Sequence, residues 1–230
     1  MKTKIVSVLS NKNKIIKEAI YSKKNNADIL ELRFDLLYQN LNKIDYSILI
    51  NKIIEIKKVT NLSLIATIRL KSEGGKYLKD DSSRLNIFKK IIPYVDYIDI
   101  EFKSKLFKEI LLLSKKSDVK TIVSYHNFDY TPSLDTLYSL IYNIKSFFPT
   151  IIKVSTLINR SEDFLNLTKI LNFGDNIAII PMAYKKLFFM LRLFTCLLGS
   201  SLIYTCISNS IAPGQPNILL IKKFLNEYYK

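Results

Sequence analysis

The sequence has no tryptophan, one histidine, two cysteines and five glycines in 230 residues. One histidine rules out a His-rich metal centre. Cys196 and Cys206, ten residues apart, follow no ligand spacing. No metal is therefore expected, and the cysteines read as small buried groups of a reducing, cytoplasmic setting. Scarce glycine also argues against a dinucleotide site. The first strand-like run is followed by Ser10-Asn11-Lys12-Asn13-Lys14, where a phosphate-binding turn would need glycines. Arginine is rare too: it supplies five of the 35 basic residues. The net charge of +15 is scattered as lysine, with no run of five like charges. A nucleic-acid binder would gather that charge into a stripe, so no nucleic-acid partner is expected. The positive field still favours an anionic substrate. The N-terminus lacks the basic and apolar regions of a secretion signal. The longest apolar stretch, 187–207, carries only Arg192 and is long enough to span a bilayer. Gly199-Ser200-Ser201 divides it into a helix and then a strand, so no membrane span is expected.

Apolar residues make up 48% of the chain, enough for a sizeable core. Isoleucine (34), lysine (30) and asparagine (18) are enriched throughout, as a base-composition bias in the coding sequence would produce. The dominant pattern is alternation between short β-rich runs and longer segments of helical spacing. Strands are predicted over 4–9, 28–34, 63–69, 97–102, 121–126, 151–157, 177–182 and 201–207. Helices are predicted over 14–24, 47–58, 104–115, 133–148, 161–171 and 216–229. Eight βα units with no linker imply one α/β domain over 1–230, a single (β/α)8 TIM barrel. An open doubly wound sheet is the alternative.

In such a barrel chemistry belongs at the C-terminal strand ends. Strand two ends Glu31-Leu32-Arg33-Phe34-Asp35, with charges at alternate positions that must be paired or functional. Strand three ends in Arg69, and Glu73-Gly74-Gly75 follows, where glycine permits a tight turn. Strand five ends in His126, the best available general acid/base near neutral pH. Strand six holds Lys153 among β-branched residues. Burial and nearby cations would lower its pKa and free an amine to attack a carbonyl. Neighbouring strands lie about 4.8 Å apart, so His126 and Lys153 can address one ligand. Arg192, isolated in an apolar helix, suits a carboxylate. Gln215 follows a Pro-Gly turn at the barrel mouth.

These residues together resemble the type I 3-dehydroquinate dehydratases, the Schiff-base dehydroquinases of the shikimate pathway of aromatic amino-acid biosynthesis. The matching segments are Glu31-Leu32-Arg33-Phe34-Asp35, Thr67-Ile68-Arg69 with Glu73-Gly74-Gly75, and Ser124-Tyr125-His126-Asn127-Phe128 with Thr131-Pro132. Ile152-Lys153-Val154, Arg192 with Gly199-Ser200, and Ala212-Pro213-Gly214-Gln215 complete the set, in the family's order over nearly the whole chain. The resemblance implies a lyase that dehydrates 3-dehydroquinate to 3-dehydroshikimate. Lys153 would form the Schiff base, His126 would act as general acid/base, and Glu73 would orient it. It also implies substrate contacts from Ser7, Glu31, Arg33, Arg69, Arg192, Gln215 and the position of Ile211. It implies no cofactor, and a homodimer. The chain departs from the family pattern at Ile211, where a serine is usual, and at Phe188 and Leu191, where glycine and serine are expected. A different Schiff-base barrel, such as a class I aldolase, is a second reading. A drifted barrel that binds polyanions without catalysis is a third.

Overall fold

A computed structural model describes residues 3–38, 45–78, 80–183, 189–207, 212 and 214–228. Eight parallel strands form one sheet in the order β7-β6-β5-β4-β3-β2-β1-β8. They are β1 (Lys4–Leu9), β2 (Ile29–Arg33), β3 (Ser63–Thr67), β4 (Tyr97–Glu101), β5 (Lys120–Asn127), β6 (Ile151–Leu157), β7 (Ile177–Met182) and β8 (Leu202–Thr205). The helices are α1 (Ile15–Lys24), α2 (Phe34–Leu37), α3 (Tyr46–Thr60), α4 (Asp81–Ile91), α5 (Phe107–Lys116), α6 (Leu134–Lys145), α7 (Ser161–Lys169), α8 (Phe189–Leu197) and α9 (Ile218–Tyr228). This is the expected (β/α)8 barrel, nearly closed.

Local chemistry sets several boundaries. Asp80 begins α4 by accepting hydrogen bonds from the Ser83 amide and hydroxyl, both 2.8 Å. Asp163, in the first turn of α7, accepts from the Asn159 and Arg160 amides at 2.9 Å. Asn61 stops α3 in the left-handed region, φ 54°. Strand two ends at Arg33 instead of running through Phe34, because α2 begins there. From Phe189 onward, the 187–207 stretch forms α8 and then β8. Among the described residues no helix is long and apolar enough to cross a membrane.

The gap in the ring lies between β7 and β8, which share no ladder. The Ser201 amide donates to the Ile177 carbonyl at 2.9 Å, and the Ser200 hydroxyl accepts from the Ile179 amide at 3.1 Å. A side chain thus takes the place of a missing strand bond.

Two apolar layers surround the strands. The larger lies between sheet and helices, and a smaller plug fills the lower barrel. The plug includes Ile29, Ile65, Tyr97, Ile122 and Ile151. Two residues further along those same five strands, the interior positions become Glu31, Thr67, Asp99, Ser124 and Lys153, all buried. On β1, β7 and β8 the interior stays largely apolar, with Val8, Ile180 and Tyr204. The barrel mouth is therefore polar on one side and greasy on the other.

Candidate active site

A pocket enclosing about 640 Å³, its open side included, sits above the plug at the C-terminal strand ends. Glu31, Arg33, Arg69, Glu73, His126, Lys153, Arg192 and Gln215 all line it. The apolar wall is built by Val8, Ile180, Met182 and Tyr204.

Lys153 lies mid-strand on β6, its side chain only 6% exposed. Its Nζ donates to Asp99 Oδ2 at 2.5 Å and stands 4.6 Å from the centre of the Tyr204 ring. Burial lowers its pKa, with Asp99 opposing and Arg69 adding to the fall. The free amine is correspondingly more accessible than in an ordinary lysine. Asp99 is itself clasped: Oδ1 accepts from Arg69 Nη2 at 2.6 Å and from Ser124 Oγ at 2.7 Å. Burial alone would raise its carboxyl, but Arg69 and Lys153 outweigh that and hold it far below the usual carboxylate range.

His126 stands two residues past Ser124 on β5, and Ser124 pairs in register with Lys153. Its Nδ1 lies 2.9 Å from Glu73 Oε2. Burial pushes the Glu73 carboxyl up to about 7, with Arg69 opposing. Burial and the cations Arg69 and Lys153 drive His126 well below 6.5. A neutral imidazole that donates Nδ1–H to Glu73 presents a basic Nε2. Glu73 reaches it from the turn Lys71–Glu73, closed by the Gly75 amide on the Leu70 carbonyl at 2.9 Å. Gly74 holds φ 76°, and a Cβ there would strike Phe128, whose ring stacks near His126.

The remaining charges are braced. Arg33 forms a fork on Asp35, 3.0 and 2.9 Å, and Asp35 also accepts the Lys76 amide. Glu31 Oε1 accepts from Thr67 at 2.7 Å. Arg192, buried on α8, donates from Nε to the Pro181 carbonyl at 3.1 Å. Burial brings its pKa down to about 10, so it stays cationic at neutral pH.

One expected residue is not brought to the pocket. Ser7 faces outward and shares a 2.7 Å hydrogen bond with Ser22 of α1. Period-two alternation gives the interior of β1 to Val6 and Val8, so Val8 lines the pocket instead. Ile211 and Phe188 lie outside the described residues. Leu191 packs against the outer core. Among the described residues no cluster of three or more His, Cys, Asp or Glu side chains could hold a metal.

A family model described as type I 3-dehydroquinase matches residues 5–230. The chain belongs to that family. A 3-dehydroquinate dehydratase of Methanococcoides burtonii is 32% identical over 221 residues, covering 95% of this chain and 91% of that protein. One from Pyrococcus abyssi is 32% identical over 217 residues, 92% of this chain and 94% of that one. The solved 3-dehydroquinate dehydratase of Aquifex aeolicus superposes with TM-score 0.84 at 26% identity, over 99% of this chain and all of the other.

The sequence pattern left several residues in and behind this pocket unmarked: Asp99, Glu101, Arg84 and Tyr204. Arg84 is fully buried; it donates to Glu101 at 2.5 Å and to the Ile68 carbonyl at 2.6 Å. Glu101 also holds Arg69 at 3.1 Å, so Arg84 braces the site from behind. Two signals were available. Asp99 and Glu101 alternate with isoleucines as the charges of strand two alternate with Leu32 and Phe34. Arginine is also rare here, and four of the five line or brace the pocket.

Proposed function

We propose that this chain is a lyase that dehydrates 3-dehydroquinate to 3-dehydroshikimate, with Lys153 forming a Schiff base and His126 as general acid/base. The observation that carries this reading is the buried Lys153 amine, held in the same pocket as the His126–Glu73 pair. The amine condenses with the substrate ketone and water leaves. The iminium draws electrons from the adjacent C–H, which makes its proton removable by His126 Nε2. The electron pair forms the new double bond as the hydroxyl departs, taking the proton back from His126. Hydrolysis then frees the lysine. Glu73 holds the imidazole tautomer, and the iminium formed on Lys153 is the electron sink, so the reading calls for no metal or organic cofactor.

The reading assigns the substrate carboxylate to Arg192, a buried cation lining the pocket beside the apolar wall. Glu31, Arg33 and Gln215 are the candidates for the hydroxyl groups, and position 211 is retained as a substrate contact on the family pattern alone. Arg69 has most of its donors engaged below, so its share is to hold Asp99 and to add positive potential. We further propose one catalytic domain over 1–230, a homodimer and a cytoplasmic location. The free, buried Cys196 and Cys206 support a reducing compartment. Met190, Phe194, Leu197 and Leu198 form an exposed apolar face on and just after α8, where the one charged residue, Arg192, is buried. A second +15 chain can meet that face with little charge repulsion. Sedimentation that stays monomeric at high concentration would refute the dimer.

The deciding experiment is borohydride trapping with 3-dehydroquinate, read by intact mass and peptide mapping. An adduct on the Lys153 peptide, absent from Lys153→Ala, is expected. No adduct on folded wild-type protein would overturn the reading.

A further inference from the structure

The pocket floor places a second set of groups around Lys153 that the reaction scheme above does not use. Asp99 is 0% exposed and directs Oδ2 at Nζ from β4, across the barrel interior. Its other oxygen is fixed by Arg69 and Ser124, and Ser124 in turn accepts from Arg69 Nη1 at 2.8 Å. The carboxylate therefore cannot swing away when Nζ changes its bonding. From β8 the Tyr204 ring flanks the same nitrogen at 4.6 Å. The Tyr204 hydroxyl is buried with no hydrogen-bond partner among the described residues, so the ring face is the contact this side chain offers the nitrogen.

We propose that Asp99, backed by the Tyr204 ring, is the positioning residue for the Schiff-base nitrogen: it aims the amine before attack and holds the one N–H that the iminium keeps. The inference rests on the Schiff-base reading of Lys153. In the condensation one ketone and one protonated lysine give one iminium, which carries the same single positive charge, and one water. The C–N bond forms, the C–O bond breaks, and two of the three ammonium hydrogens leave with the oxygen. The third remains on a nitrogen that is still cationic. Asp99 Oδ2 lies where that N–H can donate, which leaves the opposite side of Nζ for the substrate carbon. A carboxylate below and a π face beside it both favour the cationic iminium over the neutral amine and carbinolamine that precede it. Asp99 does not act as a base, because Arg69 and Lys153 hold its carboxyl so far below the usual range that it does not retain a proton.

The groups facing Lys153 are Glu31 from β2, Arg69 beyond β3, Asp99 from β4, His126 from β5 and Tyr204 from β8. Asp99 and Glu31 raise the lysine pKa, and Arg69 lowers it. Removing the Asp99 charge therefore moves the free-amine titration to lower pH.

The test is the rate of borohydride-trapped adduct formation with 3-dehydroquinate, followed across pH for wild type and Asp99→Asn. The expected result is a plateau lowered by roughly 100-fold together with an acid limb displaced to lower pH. A packing role alone would lower the plateau and leave the limb in place, and that outcome overturns the proposal. Arg69 loses a partner in Asp99→Asn, so Tyr204→Leu and Tyr204→Phe provide a second arm that leaves the ion pairs intact. Tyr204→Leu is expected to slow adduct formation by roughly three- to thirtyfold and to lose more than Tyr204→Phe, which keeps the ring. Equal losses in the two would remove the ring from the proposal. If wild-type protein itself gave no adduct, the function reading would fail first, which keeps the two failures distinct.

Discussion

Replacing Glu73 by glutamine tests how the His126–Glu73 pair divides its proton. Burial and two cations keep the imidazole neutral through the physiological range, so the group that titrates near neutrality is the carboxylate, at about 7. Above that pH, ionised Glu73 accepts Nδ1–H and leaves the Nε2 lone pair facing the pocket. Below it, the protonated carboxyl donates to Nδ1 and the ring proton moves to Nε2, which removes the base. Activity should therefore rise through a step near pH 7. Glutamine offers an amide oxygen to Nδ1–H at every pH. It loses only the charge-assisted part of the bond, about 1–1.5 kcal/mol, or roughly five- to tenfold in kcat/KM. The step near 7 should vanish. The assay is initial dehydration rates over a pH series for both proteins. An unchanged step in Glu73→Gln would place the titration on His126 or Lys153 and refute the reasoning. Stability gives an independent reading. A carboxyl raised from 4.5 to about 7 on folding is disfavoured when ionised. Its contribution is fully present below the unfolded value and is lost as pH rises through the folded one. At ~1.36 kcal/mol per pH unit the loss is on the order of 3–4 kcal/mol at most. Glu73→Gln should thus melt above wild type at pH near 8, with the gap closing toward the unfolded carboxylate pKa.

Two further outcomes follow from the same geometry. Gly75→Ala should disable the enzyme, because its Cβ would fall onto the Arg69 carbonyl and displace the turn that carries Glu73; wild-type kcat with a normal melting temperature would contradict this. Ser7→Ala should leave kcat and KM unchanged and cost about 1 kcal/mol of stability from the bond to Ser22; a raised KM would return Ser7 to the pocket.

The barrel was legible because isoleucine-rich strands alternate with lysine-rich helices, so the commonest residues still separate core from surface. The His126 and Lys153 strands were legible for the same reason, since a polar residue among β-branched neighbours stands out. Ser7 was misplaced because its family match ignored the pleat. On β1 it is Val6 and Val8 that face inward, so Ser7 must face α1. Asp99, Glu101 and Arg84 were missed because their work is done through other side chains. Spacing along one strand does not reveal a carboxylate on β4 that meets an amine on β6. Of the five arginines, Arg33, Arg69, Arg84 and Arg192 line or brace the site, while Arg160 is exposed. A planar guanidinium can hold two acceptor atoms at once, as Arg33 does on Asp35 and Arg84 on Glu101 and the Ile68 carbonyl, which a lysine ammonium does with less geometric constraint.

The clasp between β7 and β8 makes the barrel a split ring. Arg192, anchored to β7 through Pro181, stands on one lip, and Tyr204 with the following Gln215 stands on the other. Lys153, His126 and the turn bearing Glu73 sit along the unbroken arc from β3 to β6. On the proposed reading, the substrate contacts of Arg192 and Gln215 therefore straddle the gap, and the His126–Glu73 pair lies on the continuous arc.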